Sequence, residues 1–172
     1  MSQHATPIAG LLLTNGAVAA PGAPQSLFET TPFIQSDTQL QLWREPQART
    51  LRGLRVQQAP AAQTLLLTPL TGMVWIMVLD LRRNSHSFCH WYGVEMQASA
   101  AQSLCIPPGC AHGFLTLAAD TLLLSMASVK DEPLLQRGIR WDDAQFGMAW
   151  PYPPEQLSDL DGGLPDFPLA HL

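Results

Sequence analysis

Apolar and polar positions along this chain fall into short blocks parted by turn residues, which is the pattern of strands rather than of helices. Residues 64–70 and 73–81 are β-rich apolar runs separated by Thr71-Gly72, a turn signal. Residues 88–96 alternate aromatic and polar positions, as a half-buried strand does, and 51–57 reads as a strand too. Residues 103–106 and 114–117 flank the turn Pro107-Pro108-Gly109, and 121–127 is one more apolar run. The fifteen prolines gather at the ends and between these runs, where a missing amide donor breaks helices and limits strand length. Only 131–136 and 154–160 offer room for a helical turn or two. Short strands at regular spacing with so little helix predict an all-β domain, a double-sheet jelly roll with short helical turns near the C-terminus. Neither a repeat nor a low-complexity linker interrupts the pattern, so residues 1–172 are expected to form a single domain. The first 25 residues, rich in Ala, Gly and Pro, are expected to be either an N-terminal arm or an edge strand exchanged in a dimer.

Composition narrows the partners. A chain of 172 residues, 47% hydrophobic and 13% charged, is long enough for one sizeable core. A formal charge of −5 leaves no basic footprint, so nucleic acid is not an expected partner. No positive region precedes an apolar run at the N-terminus, and the longest such run, residues 73–79, is too short to span a bilayer. A cytoplasmic protein with no membrane partner is therefore expected. Cys89, Cys105 and Cys110 lack metal-type spacing, and an odd count does not suit a disulfide framework, so they read as small buried hydrophobes of a reducing compartment.

The chemistry is concentrated in two stretches, Leu51-Arg52-Gly53-Leu54-Arg55-Val56-Gln57 and Ile106 through Phe114, the second bearing His112. With Leu79-Asp80-Leu81-Arg82-Arg83, Trp91 to Glu95, Arg137 to Asp143, Gly147 to Pro151 and Leu157-Ser158-Asp159-Leu160-Asp161, they form an ordered set of motifs running nearly end to end. In that order and spacing the chain resembles the dTDP-4-dehydrorhamnose 3,5-epimerase family. The resemblance implies a double-stranded β-helix of cupin jelly-roll type, usually a homodimer, whose ligand is a small molecule such as a dTDP-sugar. It also implies cofactor-independent isomerase chemistry. A His base oriented by a carboxylate removes a proton beside a keto group, a Lys stabilises the enolate oxygen, and a Tyr returns a proton from the opposite face. Such chemistry needs a group that titrates near neutrality and a donor aimed at the developing oxyanion.

The resemblance places Arg55 at the base position, Leu65 at the Lys position, Ser125 at the Tyr position and Pro24-Gln25 where the family has a phosphate-touching Arg-Gly. A guanidinium stays protonated and cannot act as a general base at neutral pH. Arg52, Gln57, His112 and Asp161 fit the family pattern. The catalytic candidates are therefore His112, Asp161 and Arg55; the ligand-binding candidates are Arg52, Gln57, Arg55 and Tyr152. Arg55 and Asp161 are expected to form a charge-assisted pair, which is either purely structural or shared with a ligand. His112 has two readings, a hydrogen bond at a turn or ligand, and a substitute acid/base role. Tyr92 and Tyr152 are the only tyrosines, and Tyr152 is the better placed to replace the missing donor. His86 and His90, read on a strand and its approach, are about 13 Å apart at strand rise and unsuited to one ion, so no metal and no cofactor are expected. The tryptophans read as core or interface fillers, with Trp43 or Tyr92 also able to stack on a base or sugar.

Three functions are compatible with these residues. One is a diverged isomerase-type enzyme for a nucleotide-linked keto sugar or related carbonyl compound. The second is a pseudoenzyme that binds ligand or partner without catalysis. The third is a scaffold recruited to cyclisation or dehydration in natural-product biosynthesis.

Overall fold

The computed structural model describes residues 2–15 and 37–168. The strands are β1 (Ser2–Ala5), β2 (Leu12–Asn15), β3 (Gln39–Glu45), β4 (Thr50–Gln57), β5 (Leu65–Thr71) and β6 (Met73–Asp80). They continue as β7 (Trp91–Gln97), β8 (Gln102–Ile106), β9 (Cys110–Thr116), β10 (Thr121–Ala127), β11 (Gln136–Gly138) and β12 (Gln156–Leu157), and α1 (Asp159–Gly162) follows. The first sheet runs β1-β2-β8-β5-β10-β3; the second runs β11-β4-β9-β6-β7, with β12 parallel beside β4. Every other pairing is antiparallel. The fold is the expected all-β jelly roll, with a 3-10 turn at Pro133–Leu135 and the short α1 as its C-terminal helical pieces.

Strands form where alternation meets a buried face. Leu65, Leu67, Ile76, Val78, Leu104 and Phe114 meet between the two sheets. The outer face of the second sheet buries Leu54, Met77, Leu79 and Ile139 beneath the C-terminal segment, where Trp141 and Trp150 pack against them. Each such aliphatic side chain, once buried, contributes about 1.5–3 kcal/mol relative to exposure. Because β4 has apolar cover on both faces, its polar residues stand out as exceptions.

Two strand starts differ from the sequence expectation, each for a local reason, and one strand is additional. The strand expected from residue 88 starts at Trp91, because Phe88 to His90 turn back toward Asp80. The Cys89 N–H donates to the Asp80 carbonyl at 2.8 Å. His86 and His90 therefore lie in a turn region rather than on a strand. The strand expected from residue 114 already begins at Cys110, immediately after Gly109, whose φ of +85° closes the turn. Strand β3 was not anticipated: its alternation is inverted, with Leu40 and Leu42 outward and exposed. Residues 2–15 form the β1–β2 hairpin, which joins its own chain's sheet through β8. Pro24-Gln25 lie outside the described residues.

Candidate functional site

Arg52 and Arg55 are three apart, a spacing that in a regular strand places side chains on opposite faces. Here the β4–β9 register pairs Arg52 with Phe114 and Arg55 with His112, so that Gly53 and Leu54 on one strand stand against Gly113 alone on the other. This bulge turns both arginines to one face and brings the strands close at Gly53 and Gly113. A Cβ on Gly53 would lie 2.7 Å from the His112 carbonyl oxygen, so only glycine fits. The sequence Arg-Gly-Leu-Arg is thus a device for aiming two guanidinium groups at one cavity.

That cavity, about 250 Å³, lies between the sheets. Arg52, Arg55, His112 and Phe114 line it from the second sheet, and Gln39, Gln41, Trp43, Leu65 and Ser125 from the first. Gln63, Asp131 and Gln136 close one end. Leu65 and Ser125, the positions that the resemblance assigns to Lys and Tyr, are thus both wall residues.

Asp161 is 1% exposed and sits under β4. Ser158 caps α1, donating its hydroxyl to Asp161 Oδ2 at 2.8 Å and accepting from the Asp161 N–H at 3.1 Å. The parallel β12–β4 pairing brings this cap beside the bulge. Arg55 donates to Asp161 Oδ1 at 2.6 Å and to Gln136 Oε1 at 3.1 Å, and the Gly53 N–H reaches Oδ1 at 3.3 Å. The expected Arg55–Asp161 pair is present. Arg52 forms a fork on Glu45, with Nε to Oε1 at 2.7 Å and an NH2 group to Oε2 at 3.2 Å, and lies 3.8 Å from Asp161. Glu45 is buried, and it neutralises the arginine expected to face ligand.

His112 makes no imidazole hydrogen bond to another described residue. Burial pushes its pKa down from 6.5 to about 4, Asp131 opposing and Arg55 reinforcing the shift. At neutral pH it is an uncharged imidazole. Gln57, 5% exposed, is committed elsewhere: its amide donates to the Glu132 carbonyl and accepts from the Glu132 N–H, each at 3.1 Å. It fastens the segment that carries Asp131. Tyr152 does not line the cavity; it is half exposed, with its ring beneath the Arg49 guanidinium at 5.1 Å. Of the sequence candidates, the structure gathers Arg52, Arg55, Gln57, His112 and Asp161 at or against the cavity and leaves Tyr152 apart.

Sequence reasoning missed Glu45, Gln39, Gln41, Gln63, Asp131 and Gln136. The period-two run Gln39, Gln41, Trp43 was the signal for two of them, Gln39 and Gln41, hidden because leucines occupy the outward positions. Among the described residues no three His, Cys, Asp or Glu side chains gather closely enough to hold a metal ion. No helix among them is long and apolar enough to cross a membrane.

Two sheets enclosing a polar, arginine-bearing cavity define a cupin-like jelly roll. The chain belongs to the dTDP-4-dehydrorhamnose 3,5-epimerase family, whose model matches residues 24–168. It is 35% identical over 111 residues to the dTDP-4-dehydrorhamnose 3,5-epimerase of Shigella flexneri, covering 64% of this chain and 61% of that one. To the enzyme of that name from Mycolicibacterium smegmatis it is 34% identical over 121 residues, 70% of this chain and 59% of the relative. The chain thus spans about three fifths of the length of the curated relatives it matches. The structure is similar to the crystal structure of dTDP-4-dehydrorhamnose 3,5-epimerase from Bacillus anthracis with TDP and PPi bound. The TM-score is 0.88 at 26% identity, covering 96% of this chain and 99% of the other.

Proposed function

We propose that this chain binds a carbonyl compound of its family's kind, a nucleotide-linked keto sugar or a relative of one, without running the ordinary 3,5-epimerisation. The observation that carries the reading is the Arg55–Asp161 pair at 2.6 Å, a permanent cation where the family resemblance places a proton-accepting His. Leu65 and Ser125 on the facing sheet supply neither an enolate-stabilising ammonium nor a phenol. Arg55 acts instead as an electrophile that grips a carbonyl or carboxylate oxygen, with Asp161 and Gln136 holding its fork in place. Among the described residues His112 is the one imidazole in the cavity wall, and with a pKa near 4 it is a weak base. Binding without family chemistry is therefore favoured over a rearranged epimerase.

The protein is also read as a cytoplasmic homodimer. A row of outward side chains supports the dimer. It consists of Leu40 and Leu42 on β3, which point outward from the first sheet and are 64% and 57% exposed.

The test uses dTDP-4-keto-6-deoxyglucose in heavy water, with a thermal shift reporting binding and mass spectrometry reporting deuterium at C3 and C5. Stabilisation without wash-in at enzymatic turnover is expected. Losing a positioned base costs roughly 10²–10⁴-fold, and the oxyanion donor is absent as well. Wash-in at ordinary enzyme rates would overturn the reading.

A further inference from the structure

The charges around the cavity do not balance. Arg52 is forked on Glu45 and Arg55 is paired with Asp161, so each cation is already neutralised. His112 is uncharged near pH 7. Among the described residues that line the cavity the remaining charged group is Asp131, in the segment between β10 and β11. Its carboxylate receives only neutral amides: Gln41 Nε2 to Oδ2 and Gln63 Nε2 to Oδ1, each at 3.1 Å. Its backbone N–H donates to Gln39 Oε1 at 2.7 Å. Among the described residues Asp131 has no ion-pair partner, and the neighbouring Lys130 is exposed and does not line the cavity. Residues 16–36 contain no Lys, Arg or His.

A second observation points the same way. A carboxylate only accepts hydrogen bonds, so Gln63 must turn its NH2 group to Asp131, which fixes the orientation of its amide. Gln63 Oε1 is then a fully buried acceptor with no hydrogen-bond partner. An acceptor buried without a donor costs about 1–3 kcal/mol, and such a group is a rarity that calls for a missing partner. The cavity wall therefore carries an unneutralised anion with an orphan acceptor bonded to it. Trp43, in edge contact with Phe114 at 5.9 Å, adds an aromatic surface suited to a cation. The donors of the cavity lie on β4, and its spare acceptors lie around Asp131.

We propose that the cavity takes a ligand bearing a protonated amine, received by Asp131 and Gln63 Oε1, while Arg55 holds the ligand's oxygen end. This deepens the carbonyl-binding reading above and rests on it for the Arg55 end; the amine end stands on Asp131 and Gln63 alone. The ligand class is an aminated sugar or similar amino-carbonyl compound, and no covalent step is involved.

Calorimetric titration at pH 6.5 with glucosamine and with glucose as probes tests the amine end without any nucleotide. Glucosamine is expected to bind about tenfold more tightly, and added salt should shrink that advantage by screening the charge pair. In Asp131→Asn the ratio of the two affinities should fall to near one while glucose binding is retained. Gln63→Leu, which keeps the carboxylate, should lower the ratio a few-fold. Equal affinities in the wild type, binding of neither probe, a salt-independent advantage, or an unchanged ratio in Asp131→Asn would overturn the proposal. If the keto-sugar nucleotide binds and glucosamine shows no advantage, only this inference fails. If glucosamine is preferred and the nucleotide does not bind, only the earlier reading fails.

Discussion

Two buried carboxylates in the second sheet's territory, Asp80 and Asp161, each hold an arginine at 2.6–2.7 Å, yet they serve opposite ends. Asp80 ends β6 with no exposed surface and is saturated locally. Arg82 donates to it from Nε, from an NH2 group and from its own backbone, and Ser85 and Ser87 each donate a hydroxyl at 2.6 Å. Arg82 also donates to the Ala9 carbonyl at 2.7 Å, so the hub ties the N-terminal segment to the loop between β6 and β7. Its donors come almost wholly from within seven residues, and none of them belongs to the cavity wall. Asp161 draws on partners more than a hundred residues away, Arg55 and Gly53, and those partners line the cavity. A carboxylate satisfied by its own loop acts as a fastener. One satisfied across the fold holds a cation in position for something else.

The largest effect expected from this contrast is on stability. Asp80→Asn leaves Arg82 and two hydroxyls without their anion, and removing one member of a buried pair costs about 3–5 kcal/mol. Denaturant unfolding of the variant should show that loss, with ligand affinity unchanged in the fraction that remains folded. Arg55→Ala should do the reverse. Asp161 keeps Ser158 and the Gly53 N–H, so the stability loss should be smaller than for Asp80→Asn. Affinity for a carbonyl ligand should fall by about 2–5 kcal/mol in titration. Arg55→Lys should recover only part of it, because a point charge lacks the planar fork. Unchanged affinity in Arg55→Ala would erase the distinction between the two hubs.

The smallest effect concerns acid, and it separates the two regions by pH. Asp80 is held well below the usual carboxylate range by Arg82, Ser85 and Ser87, which outweigh its desolvation. Its stabilising contribution is therefore complete above about pH 4 and is lost only as pH falls further. His112 behaves differently: its folded pKa of about 4 lies below the ordinary 6.5. Between those values the unfolded chain takes up a proton that the folded chain refuses, so stability falls as pH drops from 6.5 to 4. His112→Gln should flatten that part of a stability–pH curve and leave the steeper loss below pH 4 in place. An unaltered curve would mean that the cavity does not keep its imidazole neutral.

The strands were legible because burial on one face writes itself into alternation, and residues 121–127 were bounded correctly from that alone. The Arg55–Asp161 pair was legible because a resemblance of motifs placed both residues at one site. The rest of the cavity was not, and β3 shows why. Gln39 and Gln41 face inward and Leu40 and Leu42 outward, which reverses the usual rule because the interior is a polar cavity and the outward leucines form an apolar row. Glu45 and Asp131 lay in stretches without periodicity, and their role depends on partners that no local pattern names. Tyr152 was chosen as one of two tyrosines and for its place before Asp161, yet its ring is taken up by Arg49 at the surface.

Because β4 sets two residues, Gly53 and Leu54, against Gly113 alone of β9, its halves run out of phase with each other, as two passages of text in different reading frames do. Leu51 before the bulge and Leu54 within it are both fully buried, while the arginines between and after them share the cavity. Deleting one residue here would restore a single frame and turn one half of the strand inside out, sending an arginine toward the cluster of Met77 and Leu79. A side-chain exchange at position 55 leaves the frame intact, so a guanidinium can stand where the family resemblance implies an imidazole. Chain length through this stretch is therefore more tightly constrained than the chemistry it presents.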